Sequence, residues 1–236
     1  MKMDMIFQSI EIEVAEKIET MMTISGHSRE KLLHISKKKF SPKQEKTVAS
    51  TINFAKSLTS VDTHHPSIQA YINHPVRVST MVLQSLKENQ YEYTIIGLLH
   101  NVYEIGGLTE SYIVQAGYNE STSRAIRTLT IDRKKQYDTD YLSSYYKAIR
   151  DFSPELALVR CLDKLDNMLA FELIREENNR SLYLKLIHRF IVPMAKELSP
   201  DLGFYIEELG EYMQTVGCNP DLAERYESFQ KKIMDK

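Results

Sequence analysis

The sequence predicts an all-α fold, a helical bundle with no significant sheet. Three observations carry that expectation. Only 8 glycines occur in 236 residues. Apolar residues recur at spacings of three and four, the period of one helix face, rather than at two. Four of the seven prolines directly follow a good helix cap: Ser41-Pro42, Ser153-Pro154, Ser199-Pro200 and Asn219-Pro220. Proline at the first helical position loses nothing, because its missing N–H would have been unpaired there, and the preceding Ser or Asn oxygen accepts from the exposed amides.

In chain order, Ile6, Ile10, Val14 and Ile18 form the first stripe, within a helix over 4–22. A second helix over 28–36 runs into Lys37-Lys38-Lys39, a basic run read as a solvated helix end. Ser41 and Gln44 have capping-box spacing and open a helix over 42–58. Val78, Met81, Val82 and Leu86 mark 75–88, and the apolar run before His100 marks 91–104. Gly117 followed by Asn119 stops a helix over 109–116 and starts one over 120–130. Helices over 138–151, 154–176, 181–198, 200–215 and 220–234 complete the chain. Gly26, the lysine run and Ser41-Pro42 read as a connection. They divide an N-terminal helical appendage, 1–40, from one helical domain, 41–236.

The composition excludes several function classes. Hydrophobic residues make up 42% and charged residues 26%, too apolar for a disordered chain. The 30 Lys+Arg against 32 Asp+Glu lack the basic excess of a nucleic-acid binder. Two cysteines, Cys161 and Cys218, are too few for a disulfide scaffold and fit a reducing cytoplasm. No apolar run approaches the roughly 20 residues of a membrane span, and the first residues lack the apolar core of a signal peptide. A cytoplasmic protein without membrane association is expected; the sequence leaves a homo-oligomer open.

Histidine placement is the first chemical signal. His27, His34 and His188 lie on predicted helices or turns and read as surface or core residues. His64 and His65 stand before Pro66, in a loop. His74 begins a helix, and His100 ends a very apolar one, so its imidazole is expected to be buried with a partner. Glu104 follows His100 by four, on the same helical face. Asp163 and Asn167 are also four apart, with Arg160 a turn before. So many polar groups on a buried helix need specific partners to offset their desolvation. Cys161 reads as a core side chain. Tyr137, Tyr141, Tyr145 and Tyr146 read as packing, and Arg133-Lys134-Lys135 as a solvated turn.

Three segments together, His74-Pro75-Val76-Arg77-Val78, Leu98-Leu99-His100-Asn101-Val102-Tyr103-Glu104 and Leu162-Asp163-Lys164-Leu165-Asp166-Asn167-Met168, resemble the three signatures of HD-domain phosphohydrolases. Within these, the chain is most similar to the alarmone hydrolase domain of RelA/SpoT-type proteins and to the small stand-alone alarmone hydrolases. The order and gaps match, as does the intervening segment Ala125–Thr130, and the resemblance spans about Ser41 to Leu198. It implies a divalent-metal site, commonly manganese, acting on a nucleotide such as (p)ppGpp in a stringent response. Carried over by position, His74, His100 and Asp163 are metal ligands, with Asn101 as a weakened fourth. Glu104 orients or deprotonates the water, and Arg160, Lys164 and Asn167 bind substrate. The chain departs from the family at Asn101, where the ligand aspartate belongs, and at Ile105, which replaces the second residue of an acidic pair. Residues Thr59–His65 also lack the family's basic stretch. Those departures leave a second expectation: a degenerate HD domain that binds a nucleotide or a protein partner without turnover.

Overall fold

Helix starts in the computed structural model are set by the caps the sequence announces. Ser41 accepts from the Gln44 amide while the Gln44 side chain accepts from the Ser41 backbone, a complete capping box. Ser153, Ser199 and Asn219 accept in the same way from Leu156, Leu202 and Leu222. Gly117 takes a left-handed φ of 96°, and two residues on Asn119 caps the next helix. The structure describes residues 2–22, 27–58 and 71–234, and side chains from 8 to 232 within them. Gly26, the side chain of Ile6, and residues 59–70, with His64 and His65, lie outside the described residues.

The described chain is all-α, with no strand. The helices are α1 Lys2–Met21, α2 His27–Lys39, α3 Pro42–Ser57, α4 Asn73–Ser85, α5 Gln90–Leu99, α6 Val102–Gly106, α7 Glu110–Gln115, α8 Glu120–Leu129, α9 Thr139–Phe152, α10 Pro154–Met168, α11 Glu177–Leu186, α12 Val192–Leu198, α13 Pro200–Val216 and α14 Pro220–Met234. No described helix is long and apolar enough to cross a membrane.

Three stretches differ from the sequence reading. The helix expected over 91–104 breaks between Leu99 and Val102. The carbonyl of Gly97, which the Asn101 amide would use in an unbroken helix, faces Nδ1 of His100 at 2.6 Å. A side chain competing for a backbone acceptor is a common reason for a helix to end. The helix expected over 154–176 stops at Met168 and passes into a 3₁₀ turn, Phe171–Leu173, whose Glu172 carbonyl accepts from the Asn219 amide at 2.9 Å. The helix expected over 181–198 starts at Glu177 and contains a π-turn, Ile187–Ile191, just before Pro193. Proline has no N–H and crowds the carbonyl one turn back, and a local widening relieves both.

The chain divides into two compact units, Gly26–Leu162 and Met1–Ser25 with Asp163–Lys236. The division falls inside the unbroken helix α10. In the Gly26–Leu162 unit, Val48, Ile52, Val76, Leu83, Leu98 and Ile126 belong to one buried core. Helices α4 and α5 pack there at close range: a Cβ on Gly97 would lie 2.8 Å from Oγ of Ser79. Ser79 donates to the Thr94 carbonyl at 3.1 Å, fixing the register of the pair. In the other unit, Ile10, Val14 and Ile18 are buried, and α1 packs on α13. Lys17 forms a buried ion pair with Asp166 and donates to its carbonyl oxygen at 3.0 Å.

Gly97→Ala should therefore cost about 1–3 kcal/mol by overpacking the α4–α5 contact. In a Ser79→Ala background, where the nearest atoms would be Cα and Cβ of residue 79 at 3.3 and 3.5 Å, the cost should fall. A urea-denaturation double-mutant cycle measures the difference; strict additivity would refute the close-packing account.

Candidate metal centre

The site begins with three residues far apart in the chain, two within helices and one at a helix end. His74 lies in the first turn of α4, His100 follows the last residue of α5, and Asp163 sits in α10. All three are buried, at 8%, 1% and 2% exposure. One ring nitrogen from each histidine and one carboxylate oxygen of Asp163 lie within 4.8 Å of one another. The two Nε2 atoms are 3.2 Å apart and the rings meet nearly edge-on at 71°.

The backbone settles which nitrogen of His100 faces the centre. A carbonyl oxygen only accepts, so Nδ1 of His100 carries the proton it gives to Gly97, and Nε2 is left with its lone pair towards His74. Two neighbouring ligands at roughly 2.0–2.2 Å from a common cation stand about 2.8–3.4 Å apart, and the observed separation falls inside that span. Imidazole and carboxylate together suit a borderline-hard dication, and an imidazole donating its far N–H to a backbone carbonyl is the usual support for a metal ligand. The donor set fits a divalent metal.

Asp163 is steadied from its own helix. Its Oδ1 accepts from Asn167 Nδ2 at 3.1 Å, and its Oδ2 is 3.5 Å from Lys164 Nζ. Asn167 is exposed, while the Lys164 side chain is mostly covered, at 14% exposure. Arg160, one turn earlier, is 2% exposed; its guanidinium donates to the Leu129 carbonyl and lies 5.2 Å over the Tyr145 ring.

Asn101 stands in the break between α5 and α6 and donates its amide to the Tyr71 hydroxyl. Tyr71 also lies against the His74 ring, 5.5 Å between centroids. Nothing in the sequence marks Tyr71, because the segment before it carries no recognisable pattern. Glu104 has a side chain only 6% exposed. Its Oε1 accepts from the Ile131 amide at 2.7 Å, and its Oε2 is 3.6 Å from Arg133. Ile105 is buried and borders an apolar hollow of about 20 Å³. The tyrosines pack as expected: Tyr141 stacks on Tyr145, Tyr145 donates to the Leu129 carbonyl, and the Tyr141 oxygen accepts from the Asp132 amide. Cys161 is fully buried.

The comparisons with known proteins come from shape alone. No protein-family model matches the chain, and no curated protein does. A solved structure does match: a metazoan ortholog of SpoT, described as hydrolysing ppGpp and playing a role in starvation responses. It aligns with a TM-score of 0.55 at 17% identity, over 76% of this chain and 98% of its own. The chain shares the all-α fold of that structure. At that identity the likeness speaks for the fold, and the HD-domain resemblance read from the three sequence segments agrees with it.

Replacing His74, His100 or Asp163 by Ala one at a time should each lower bound metal to well under half of the stoichiometry of the parent chain, because one of three donors is lost. Elemental analysis after dialysis against trace metal checks this. Retention of full stoichiometry by any of the three would remove that residue from the centre.

Proposed function

We propose that this HD-domain chain is a metal-dependent nucleotide phosphohydrolase of the alarmone hydrolase type, acting on (p)ppGpp or a related pyrophosphorylated nucleotide. The single observation that carries the reading is the buried His74, His100 and Asp163 cluster, three donors from separate helices brought to one point. The ppGpp activity described for the metazoan structural neighbour supports the substrate class.

His74, His100 and Asp163 would hold the ion, most simply Mn²⁺, with the Asn101 side-chain oxygen as a neutral fourth donor. A divalent ion supplies Lewis acidity there: it makes water acidic near neutral pH and offsets charge developing on a phosphoryl group. Glu104 would take the proton of the attacking water at Oε2, since Oε1 is engaged by the Ile131 amide. Lys164 and Asn167, beside Asp163, would hold the polyphosphate and the ribose. Arg160 would add positive potential from within the fold, while fixing Leu129 and through it the segment that Glu104 touches.

The second reading, a domain that binds without turnover, is favoured by one specific pair of contacts. The Glu104 carboxylate is held between the Ile131 amide and Arg133. Asn101 also leaves the centre one anionic donor short of the family pattern. A change at a metal site of this kind alters affinity or activity by about 10–100-fold.

The Mn²⁺-loaded chain should release pyrophosphate from ppGpp, and Asn101→Asp should tighten metal binding by roughly tenfold or more. Release by the parent chain establishes the enzyme. Release only by the Asn101→Asp variant establishes the binding domain. No release by either, across a panel of pyrophosphorylated nucleotides, overturns the hydrolase reading.

A further inference from the structure

The unit formed by Met1–Ser25 and Asp163–Lys236 contains a cleft of about 580 Å³. Its size falls in the range of small-molecule pockets, roughly 300–1,000 Å³. Apolar walls come from Val14 and Ile18 of α1, Val216 at the end of α13, and Leu222 of α14. The polar wall is of one sign. Glu172 and Glu11 line the cleft, and no described lining residue is Lys, Arg or His.

Glu172 is the informative group. It is only 9% exposed, and the bond shown for its carboxylate is to the Tyr212 hydroxyl, which donates to Oε1 at 3.0 Å. Burial, followed by the Glu172 charge, its hydrogen bond and the more distant Glu11, pushes the Tyr212 phenol well above its ordinary range, so Tyr212 stays a neutral donor. A buried carboxylate is ordinarily matched by a cation, as Asp166 is by Lys17 in the same unit. Glu172 has a phenol in that place, and its cleft opens to solvent. Val216 adds a complementary sign, an apolar side chain left 43% exposed on the cleft wall.

We propose that this cleft binds a small organic cation, a primary ammonium or guanidinium on a short apolar body, with Glu172 as its counter-ion. The charged head would meet Glu172 beside Tyr212, and the body would cover Val14, Ile18 and Val216. The inference is independent of the hydrolase reading, since none of these residues belongs to the His74, His100 and Asp163 centre.

Calorimetric titration of the full chain with hexylamine tests it, with hexanol and hexanoate as neutral and anionic counterparts of the same length. Saturable one-to-one binding of hexylamine is expected, with hexanol at least about tenfold weaker and hexanoate absent, because a hydrogen bond to a charged group is worth a factor of that order. Glu172→Gln should weaken hexylamine by about tenfold or more. Val216→Lys, at an exposed position, should do the same by placing a tethered ammonium in the cleft; it decides the matter if Glu172→Gln does not fold. No saturable binding of hexylamine up to millimolar concentration, equal binding of hexanol, or binding that survives Val216→Lys would each overturn the proposal.

Discussion

Two imidazole nitrogens 3.2 Å apart, with a buried carboxylate in reach of both, must share a proton or share a cation. Much of the architecture around them serves to hold that arrangement. Gly97 lets α5 approach α4 closely enough to bring His100 to His74, and the Gly97 carbonyl sets the tautomer of His100. One residue thus fixes both the position and the tautomer of a proposed ligand. Asp163 is clamped by Asn167 and Lys164 from its own helix, so its carboxylate enters the centre already oriented. A divalent ion held by the same three side chains would link folding to metal affinity.

Helix starts were legible because they depend on local chemistry. Ser41, Ser153, Ser199 and Asn219 each cap a helix through atoms two or three residues away, and no tertiary contact is needed to read them. Interruptions were harder to read, because partners distant in the chain or side-chain conformation decide them. The break at His100 requires knowing that its ring turns back to Gly97. The stop after Met168 is accompanied by the Asn219 amide reaching Glu172 from almost fifty positions on. Pro193 was visible, but whether a proline kinks a helix or is absorbed by a π-turn depends on what the helix packs against.

The site divides in the same way. The resemblance of three ordered segments to a known family pointed to His74, His100 and Asp163, and one donor atom of each lies within 4.8 Å of the others. Supporting contacts were silent. Tyr71 holds Asn101 through one hydroxyl, and the Ile131 amide holds Glu104; neither partner carries a residue type or spacing that announces it. Arg160 illustrates a residue whose charge is evident in sequence while its surroundings are not. Its guanidinium is turned inward onto Leu129 and Tyr145. Lys17 and Asp166 make a related point: the second aspartate of the third segment is matched inside its own unit by a lysine from the first helix.

Anomalous diffraction at the manganese edge, from crystals grown with millimolar MnCl₂, tests the central claim most directly. One strong peak bonded to His74 Nε2, His100 Nε2 and an oxygen of Asp163 is expected. A fully ordered centre with no peak among these three side chains, or a peak only at surface carboxylates, would contradict it.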